Sequence, residues 1–223
     1  KTEIADNFAL PGVEKFEELI NERTKAILLC NPNNPTGYVY GREEMQRLRD
    51  IVKKHDLYLI ADEVYREFNY TSETYVSSLD LEGVEQNVIL VDSVSKRYSE
   101  CGIRIGMMIT KNKEVYSACM RLAQARLSPP LLGQIVAEAS FDAPESYMRA
   151  NFEEYISRRD VLVEGLKAIP GVRTPMPNGA FYTMVELPVD DSDKFCEWML
   201  SSFEYEGETV MMAPGTGFYT DQE

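Results

Sequence analysis

The chain has 223 residues and a formal net charge of −14, with 37 acidic and 23 basic side chains. That length is enough for a substantial hydrophobic core in one large domain, or in one and a half. The negative charge argues against a broad nucleic-acid or anionic-membrane surface and favours a small soluble ligand as the partner. No apolar run approaches transmembrane length and no signal peptide opens the chain, so we predict a cytoplasmic protein.

Cysteine and histidine usage argues against metal and hydrolase chemistry. The four cysteines form no Cys-x-x-Cys pair, and a zinc site or a histidine-dependent hydrolase would need His55, the single histidine. Its polar neighbours at the end of a predicted helix indicate a surface position. We therefore expect no bound metal.

The first predicted elements alternate between helix and strand. After a stretch without a clear element at Lys1–Leu10, a short amphipathic helix is predicted around Val13–Ile20. Continuous apolar runs predict three buried strands: Ala26–Cys30, Leu57–Ala61 and Val88–Val91. Between the first two strands a helix is predicted, because four apolar residues fall at helical spacing: Met45, Leu48, Ile51 and Val52. Strands without alternation are buried on both faces, which is typical of a parallel sheet covered by helices. The fold class is therefore α/β with a mostly parallel sheet.

A fourth strand is predicted at Ile103–Ile109. The connection from Asp92 to Gly102 is short for a parallel crossover and carries no helical pattern, so this strand should run antiparallel to its predecessor. Helices at Lys113–Gln124 and Leu131–Phe141 should complete the cover of the sheet.

A long helix at about 145–168, ended by Pro170-Gly171, is predicted to join two domains. Residues 1–145 would form a large domain and residues 146–223 a small α+β domain. The small domain should contain a helix at Asp193–Phe203 and short strands; these are Val172–Arg173, Ala180–Glu186 and Thr209–Met212. Thr220–Glu223 ends without a closing helix or strand, and no methionine opens the sequence, so we expect a piece of a longer chain.

Three polar stretches follow the three parallel strands. Residues 30–37 (Cys-Asn-Pro-Asn-Asn-Pro-Thr-Gly) follow the first strand, 62–65 (Asp-Glu-Val-Tyr) the second and 93–96 (Ser-Val-Ser-Lys) the third. Ligands of open α/β sheets bind outside the carboxyl ends of the strands, so the three stretches are predicted to line one crevice. Taken singly, the Asn-Pro pairs are also explained by turn chemistry, and Asp62 by a helix N-cap.

The residue types in the third stretch point to a phosphorylated aldehyde. Lys96, on a partly desolvated edge, can lose a proton and attack a carbonyl. Ser93 and Ser95 offer hydroxyls on the same turn, and Arg104 supplies a planar fork that suits a phosphate. Solvated loop charges and ordinary turn serines are the alternative for this stretch alone.

Jointly, these motifs resemble the class I, fold type I pyridoxal-phosphate (PLP) aminotransferases, the group that contains aspartate aminotransferase. The similarity lies in residues 31–37, 61–65 and 93–106, and in Pro-Asn-Gly-Ala-Phe-Tyr at 177–182 with Ala-Pro-Gly at 213–215. It covers nearly the whole chain.

The resemblance implies a role for each motif residue. Lys96 would form the Schiff base with PLP and then shift the proton, while Asp62 would pair with the pyridine nitrogen. Asn34 and Tyr65 would hydrogen-bond the phenolic oxygen of the cofactor. The phosphate would be held by side chains of the third stretch and by the arginine; these are Ser93, Ser95 and Arg104.

The resemblance also implies what this chain lacks. Family members carry an N-terminal segment with further phosphate ligands and a C-terminal arginine for the substrate carboxylate, and neither segment is present here. We therefore expect the fragment to be inactive by itself, and the full-length protein to be a homodimer that acts on an amino acid and a 2-oxo acid. Aspartate is the favoured amino donor, because residues 96–102 look somewhat like the aspartate branch.

Two other functions stay open. A PLP-dependent carbon–sulfur lyase, or a related lyase, uses a similar constellation of residues and partitions the carbanion differently. A transcription regulator with an aminotransferase-like ligand-sensing domain would need a basic DNA-binding module upstream. A dinucleotide-binding dehydrogenase is disfavoured, because no Gly-x-Gly-x-x-Gly follows a predicted strand.

Overall fold

The computed structural model describes residues 7–218 and contains one four-stranded sheet in this range. The strands lie side by side in chain order: β1 (Ala26–Cys30), β2 (Tyr58–Asp62), β3 (Val88–Ser93) and β4 (Gly106–Ile109). β1, β2 and β3 are parallel, and β4 is antiparallel to β3. The predicted mostly parallel sheet and the antiparallel fourth strand are both confirmed.

Seven helices accompany the sheet in the described range. They are α1 (Val13–Leu19), α2 (Arg42–His55), the single turn α3 (Val94–Arg97), α4 (Lys113–Arg126), α5 (Leu131–Ala139), α6 (Glu145–Lys167) and α7 (Ser192–Ser201). Each of the helices predicted from periodicity is present within about three residues of its expected bounds. The turn α3 is an addition, since its four residues are too few to show a period.

The core lies between α2 and the sheet. Met45, Leu48, Ile51 and Val52 are buried on the inner face of α2, as their spacing predicts. Glu44 accepts a hydrogen bond from the backbone N–H of Gly41 (3.0 Å), which closes the first turn of the helix. Each such aliphatic side chain contributes about 1.5–3 kcal/mol when fully buried, so this face anchors the helix.

At the end of α2, His55 is tied to α1. Its Nε2 lies 2.8 Å from Oε2 of Glu17, and the neighbouring Lys54 contacts the same carboxylate. The histidine is thus a partly covered surface residue that links two helices.

The predicted start of the fourth strand was wrong by three residues. Cys101–Ile103 forms a 3₁₀ turn, and Arg104 has a φ of 59°, in the left-handed region. Neither conformation is extended, so ladder pairing begins only at Gly106, opposite Ser93.

The predicted strands after α6 were also wrong as regular strands. In the part of the chain that the structure describes, they are replaced by isolated bridges; these join Arg173 to Glu186, Asn69 to Gly179 and Tyr205 to Glu208. A strand needs a neighbour with matching extended backbone over several residues, and these segments pair at single positions only.

α6 has 23 residues and is about 35 Å long at 1.5 Å per residue. Val163 of this helix is buried, whereas the adjacent Leu162 is 54% exposed. The domain boundary at 145/146 stays a prediction. The expectations for residues 1–6 and for Thr220–Glu223 lie outside the described residues.

None of the described helices has the length and apolar composition needed to cross a bilayer.

Candidate active site

The polar stretches that follow the parallel strands begin at one edge of the sheet. Cys30 lies opposite Asp62 and Asp62 opposite Val91 in the strand register. The ladder continues one residue further, where Asn31 N–H donates to the carbonyl of Asp62 (2.9 Å). Because all three strands end together, their polar loops emerge side by side, as the sequence predicts.

Lys96 is presented by the single turn α3. Ser93 caps this turn, and its Oγ accepts a hydrogen bond from Ser95 N–H (3.3 Å). The Nζ of Lys96 lies 5.7 Å from the ring centroid of Tyr65 and 5.8 Å from that of Phe181. The amine therefore sits over aromatic faces at the strand edge, a contact worth about 0.5–1 kcal/mol.

Tyr65 forms the wall of the site beside the lysine. It is 3% exposed, and its hydroxyl donates to the hydroxyl of Tyr182 at 2.9 Å. Burial raises the pKa of the Tyr65 phenol well above its usual value, and Tyr182 and the charge of Asp62 add to the effect. The phenol thus stays protonated, and its single O–H is donated to Tyr182.

Asp62 and Cys30 form the floor of the site on neighbouring strands. Oδ1 of Asp62 accepts from Val64 N–H at 3.1 Å, in a turn that no helix follows, so the N-cap alternative does not hold. Burial raises the pKa of the Cys30 thiol to about 11, the Asp62 charge adds to this, and the backbone N–H of Asn34 opposes it.

Glu63, the neighbour of Asp62, has a structural role. It is buried, and its Oε1 accepts from Ser78 N–H and Oγ, both at 2.7 Å. The two adjacent carboxylates therefore serve different purposes, because successive side chains along extended backbone point to opposite sides.

The asparagines of the first loop also differ in role, since some hold the loop and another is exposed. Oδ1 of Asn31 accepts from Tyr40 N–H (3.0 Å), and Oδ1 of Asn33 accepts from Thr36 N–H (3.2 Å) and Oγ1 (2.8 Å). Turn chemistry thus accounts for Asn33, whereas Asn31 closes the loop by a bond across nine residues. Asn34, the predicted cofactor ligand, has an exposed side chain.

The motif at 177–182 docks onto this loop. The carbonyl of Gly37 accepts from Asn178 N–H and Gly179 N–H, both at 2.9 Å. A Cβ on Gly179 would lie 2.7 Å from Cβ of Pro32, so only glycine permits this approach. The docking brings Phe181 and Tyr182 to Lys96 and Tyr65, two neighbours to which the sequence analysis gave no site role.

The three predicted phosphate ligands are only partly brought together. Ser93 and Ser95 share one turn, whereas Arg104 is exposed and its Nη1 donates to the carbonyl of Cys101 at 2.9 Å. Cys101 provides the link between them, because its Sγ donates to the carbonyl of Ser95 at 3.2 Å and lies 4.0 Å from Nζ of Lys96. Nothing in the spacing of the sequence singles out this cysteine.

Known proteins match this chain in sequence and in fold. The family model "Aminotransferase class I and II" matches residues 5–222. An aspartate aminotransferase of Thermotoga maritima is 34% identical over 218 residues, which are 98% of this chain and 55% of that protein.

Solved structures give the same result. The crystal structure of the Thermotoga maritima aspartate aminotransferase has a TM-score of 0.80 at 33% identity and is matched over 90% of this chain and 52% of that one. The alanine aminotransferase of Pyrococcus furiosus also has a TM-score of 0.80, at 31% identity, over 89% and 52% of the two chains. The chain spans about half the length of the relatives it matches.

Proposed function

The chain belongs to the class I and II aminotransferases, and on that basis we propose that the protein containing it transfers an amino group between an amino acid and a 2-oxo acid. Class I enzymes of the aspartate aminotransferase type use PLP. The observation that carries the proposal is the amine of Lys96, which lies over Tyr65 and Phe181 at the strand edge that also holds Asp62.

The residues present fit this cofactor by their chemistry. The aldehyde of PLP requires an amine, and its pyridinium nitrogen requires a carboxylate. Its phosphate requires hydroxyl and guanidinium donors. All of these groups lie at the strand ends. Bound PLP supplies an electron sink for the carbanion at Cα of the substrate. Asp62 would hold the proton on the pyridine nitrogen, and Lys96 would hold the aldehyde carbon and carry the proton to and from Cα.

The hydroxyl donors orient the cofactor in the proposed site. Tyr65 stays protonated because it is buried, and it would exchange its hydrogen bond to Tyr182 for one to the phenolic oxygen beside Asn34. The phosphate would be bound by Ser93, Ser95 and Arg104. Arg104 would exchange its hydrogen bond to the carbonyl of Cys101 for charged oxygen atoms, to which it bonds more strongly.

Aspartate is the amino donor we propose. The support is the similarity to the Thermotoga maritima aspartate aminotransferase, at 34% identity, together with the sequence of residues 96–102. The alanine aminotransferase is similar to nearly the same degree, so alanine is the competing donor that a test must include.

We also propose that the full-length protein is a cytoplasmic homodimer. The support for a dimer is a set of apolar side chains on and between α4 and α5 that are more than half exposed; these are Leu122, Leu127, Leu131, Leu132 and Ile135. Large apolar side chains that are exposed on neighbouring helices are typical of a subunit interface.

An activity assay on the full-length protein tests the proposal. We expect PLP-dependent conversion of aspartate and 2-oxoglutarate at a higher kcat/KM than that of alanine and 2-oxoglutarate. Lys96→Ala should lower kcat by about a thousandfold or more, because it removes both the covalent anchor and the proton carrier. Lys113→Ala changes an exposed lysine at the start of α4 and should leave the rate unchanged. Full activity of the Lys96→Ala protein would contradict the proposal.

A further inference from the structure

The loop that follows α3 holds Arg104 in an uncommon backbone conformation. Arg104 has a φ of 59° and a ψ of 45°, in the left-handed region, which residues with a Cβ rarely adopt. It follows the 3₁₀ turn at Cys101–Ile103, and strand pairing resumes only at Gly106. A conformation of this kind persists where the surrounding structure holds it in place. The loop at 100–105 therefore depends on contacts with other elements.

Helix α5 contacts this loop on both sides of Arg104. Gly133 is buried in α5, and a Cβ added to it would lie 2.7 Å from the carbonyl oxygen of Ile103 and 3.2 Å from Cδ1 of Ile105. A distance of 2.7 Å to a backbone oxygen is shorter than a Cβ tolerates, so glycine is what permits this approach. The backbone of α5 thus packs directly against the two neighbours of Arg104.

The end of α5 holds the start of the same loop. Oγ of Ser140, the residue after α5, lies 2.6 Å from Oε1 of Glu100 and 2.8 Å from the carbonyl oxygen of Val136. A hydroxyl has one proton, and the charged carboxylate is the stronger of the two acceptors. The N–H of Glu100 in turn donates to the carbonyl of Ser95 at 3.0 Å. One helix therefore holds the loop near both of its ends.

We propose that α5 positions the guanidinium of Arg104 for the phosphate of the cofactor, with Gly133 and Ser140 as the positioning residues. The inference rests on the proposed function, in which Arg104 binds that phosphate. Gly133 has no side chain and Ser140 bonds to Glu100, so both act through the loop and not on the cofactor itself. A hydrogen bond between a guanidinium and a phosphate oxygen is short and directional, so a displacement of the loop by a few tenths of an ångström weakens it.

The preference for PLP over pyridoxal measures this positioning, because pyridoxal has the same ring and aldehyde but no phosphate. The full-length protein is titrated with each compound by equilibrium dialysis. Pyridoxal partly closes to an internal hemiacetal, but that factor is the same for every variant and cancels when variants are compared. We expect Gly133→Ala to weaken PLP binding at least about tenfold and pyridoxal binding less than about twofold, since only PLP brings charged oxygens to Arg104.

Ser140→Ala is the milder variant, because it removes one hydroxyl and leaves the backbone of α5 unchanged. It should weaken PLP binding about two- to tenfold, again without an effect on pyridoxal, and it decides the test if Gly133→Ala does not fold. Circular dichroism checks the folding of each variant.

Gly165→Ala is the matched control for Gly133→Ala. Gly165 also lies within a helix, α6, but no atom of residues 7–218 lies within 4 Å of a Cβ added to it. The same substitution at this position should therefore leave the binding of PLP and of pyridoxal unchanged.

Two results overturn the proposal. One is a preference for PLP that is the same as in the wild type in each folded variant of Gly133 and Ser140. The other is an equal loss of affinity for PLP and pyridoxal, which would show that α5 supports the fold and not the phosphate contact. A wild-type protein without a preference for PLP would contradict the proposed function itself, and this result is obtained before any variant is compared.

Discussion

The sheet with α2 and the segment after α6 differ in how completely the described residues cover them. Leu48, Leu59 and Leu90 are fully buried between α2 and the sheet. In α7, by contrast, Cys196 and Met199 are buried, but Leu200 is 56% exposed. The first region can be stabilised by its own packing, whereas the second packs on the rest through the cluster of Ala180 and Phe181 with Tyr65 and through isolated bridges. We therefore expect the sheet with α2 to contribute most of the stability of this chain.

The largest effect should come from a cavity in the sheet region. We expect Leu48→Ala to lower the free energy of unfolding by about 2–5 kcal/mol, because a fully buried leucine leaves a space that cannot collapse completely. The matched change Leu200→Ala, in α7, should cost less than about 0.5 kcal/mol, since the side chain is largely exposed. Urea denaturation measures both. Equal costs would remove the contrast between the two regions.

The contact between the regions can be tested at Gly37. Its φ is +69°, and a Cβ there would lie 2.3 Å from Cβ of Pro177 and 2.8 Å from the carbonyl oxygen of Tyr182. We expect Gly37→Ala to cost about 1–3 kcal/mol, from backbone strain and from the clash with the docked 177–182 motif.

Gly207→Ala is the control for that strain. Its φ is +82°, and no atom lies within 4 Å of the added Cβ, so it isolates the cost of the left-handed backbone. If Gly207→Ala destabilises as much as Gly37→Ala does, the docking of the motif contributes nothing.

A smaller effect should appear at alkaline pH in the sheet region. The Cys30 thiol ionises near its ordinary pKa of 9.0 in the unfolded chain, but burial raises its pKa to about 11 in the folded protein. The stability that the neutral thiol confers is therefore complete below about pH 9 and is lost as the pH rises towards 11.

We expect Cys30→Ala to remove about 1–2 kcal/mol of the loss of stability between pH 9 and 11. The measurement is the free energy of unfolding in urea at half-unit pH steps for both proteins. The tyrosines of the unfolded chain also ionise in this range, at about pH 10, so the difference between the two curves carries the information. Parallel curves would show that the thiol does not contribute.

The same contrast explains which features the sequence alone could predict. Buried strands need only a short apolar run, and β1 was predicted residue for residue because Ala26–Cys30 is such a run. The antiparallel β4 followed from the short connection before it. The strands after α6 were wrong, because Ala180–Glu186 is apolar without a partner strand of matching conformation in the described chain.

The site was predictable where it depends on the ends of strands. Asp62 and Ser93 emerge at one edge because parallel strands end together, and Lys96 follows directly. Phe181 and Tyr182 gained their place through a contact more than a hundred residues away in sequence, and Cys101 through the local turn at 101–103. The periodicity of a sequence does not predict such contacts. The motif at 177–182 indicated the importance of its own segment but not its position beside Lys96.

The account rests on the amine of Lys96, and chemical trapping tests it most directly. The full-length protein is incubated with pyridoxal phosphate, reduced with borohydride and digested, and the modified peptide is identified by mass spectrometry. We predict that the phosphopyridoxyl mass falls on Lys96, whereas Lys111 and Lys113, exposed lysines at the opposite end of β3, stay unmodified. A label on another lysine, or on none, would contradict the assignment of this strand edge as the cofactor site.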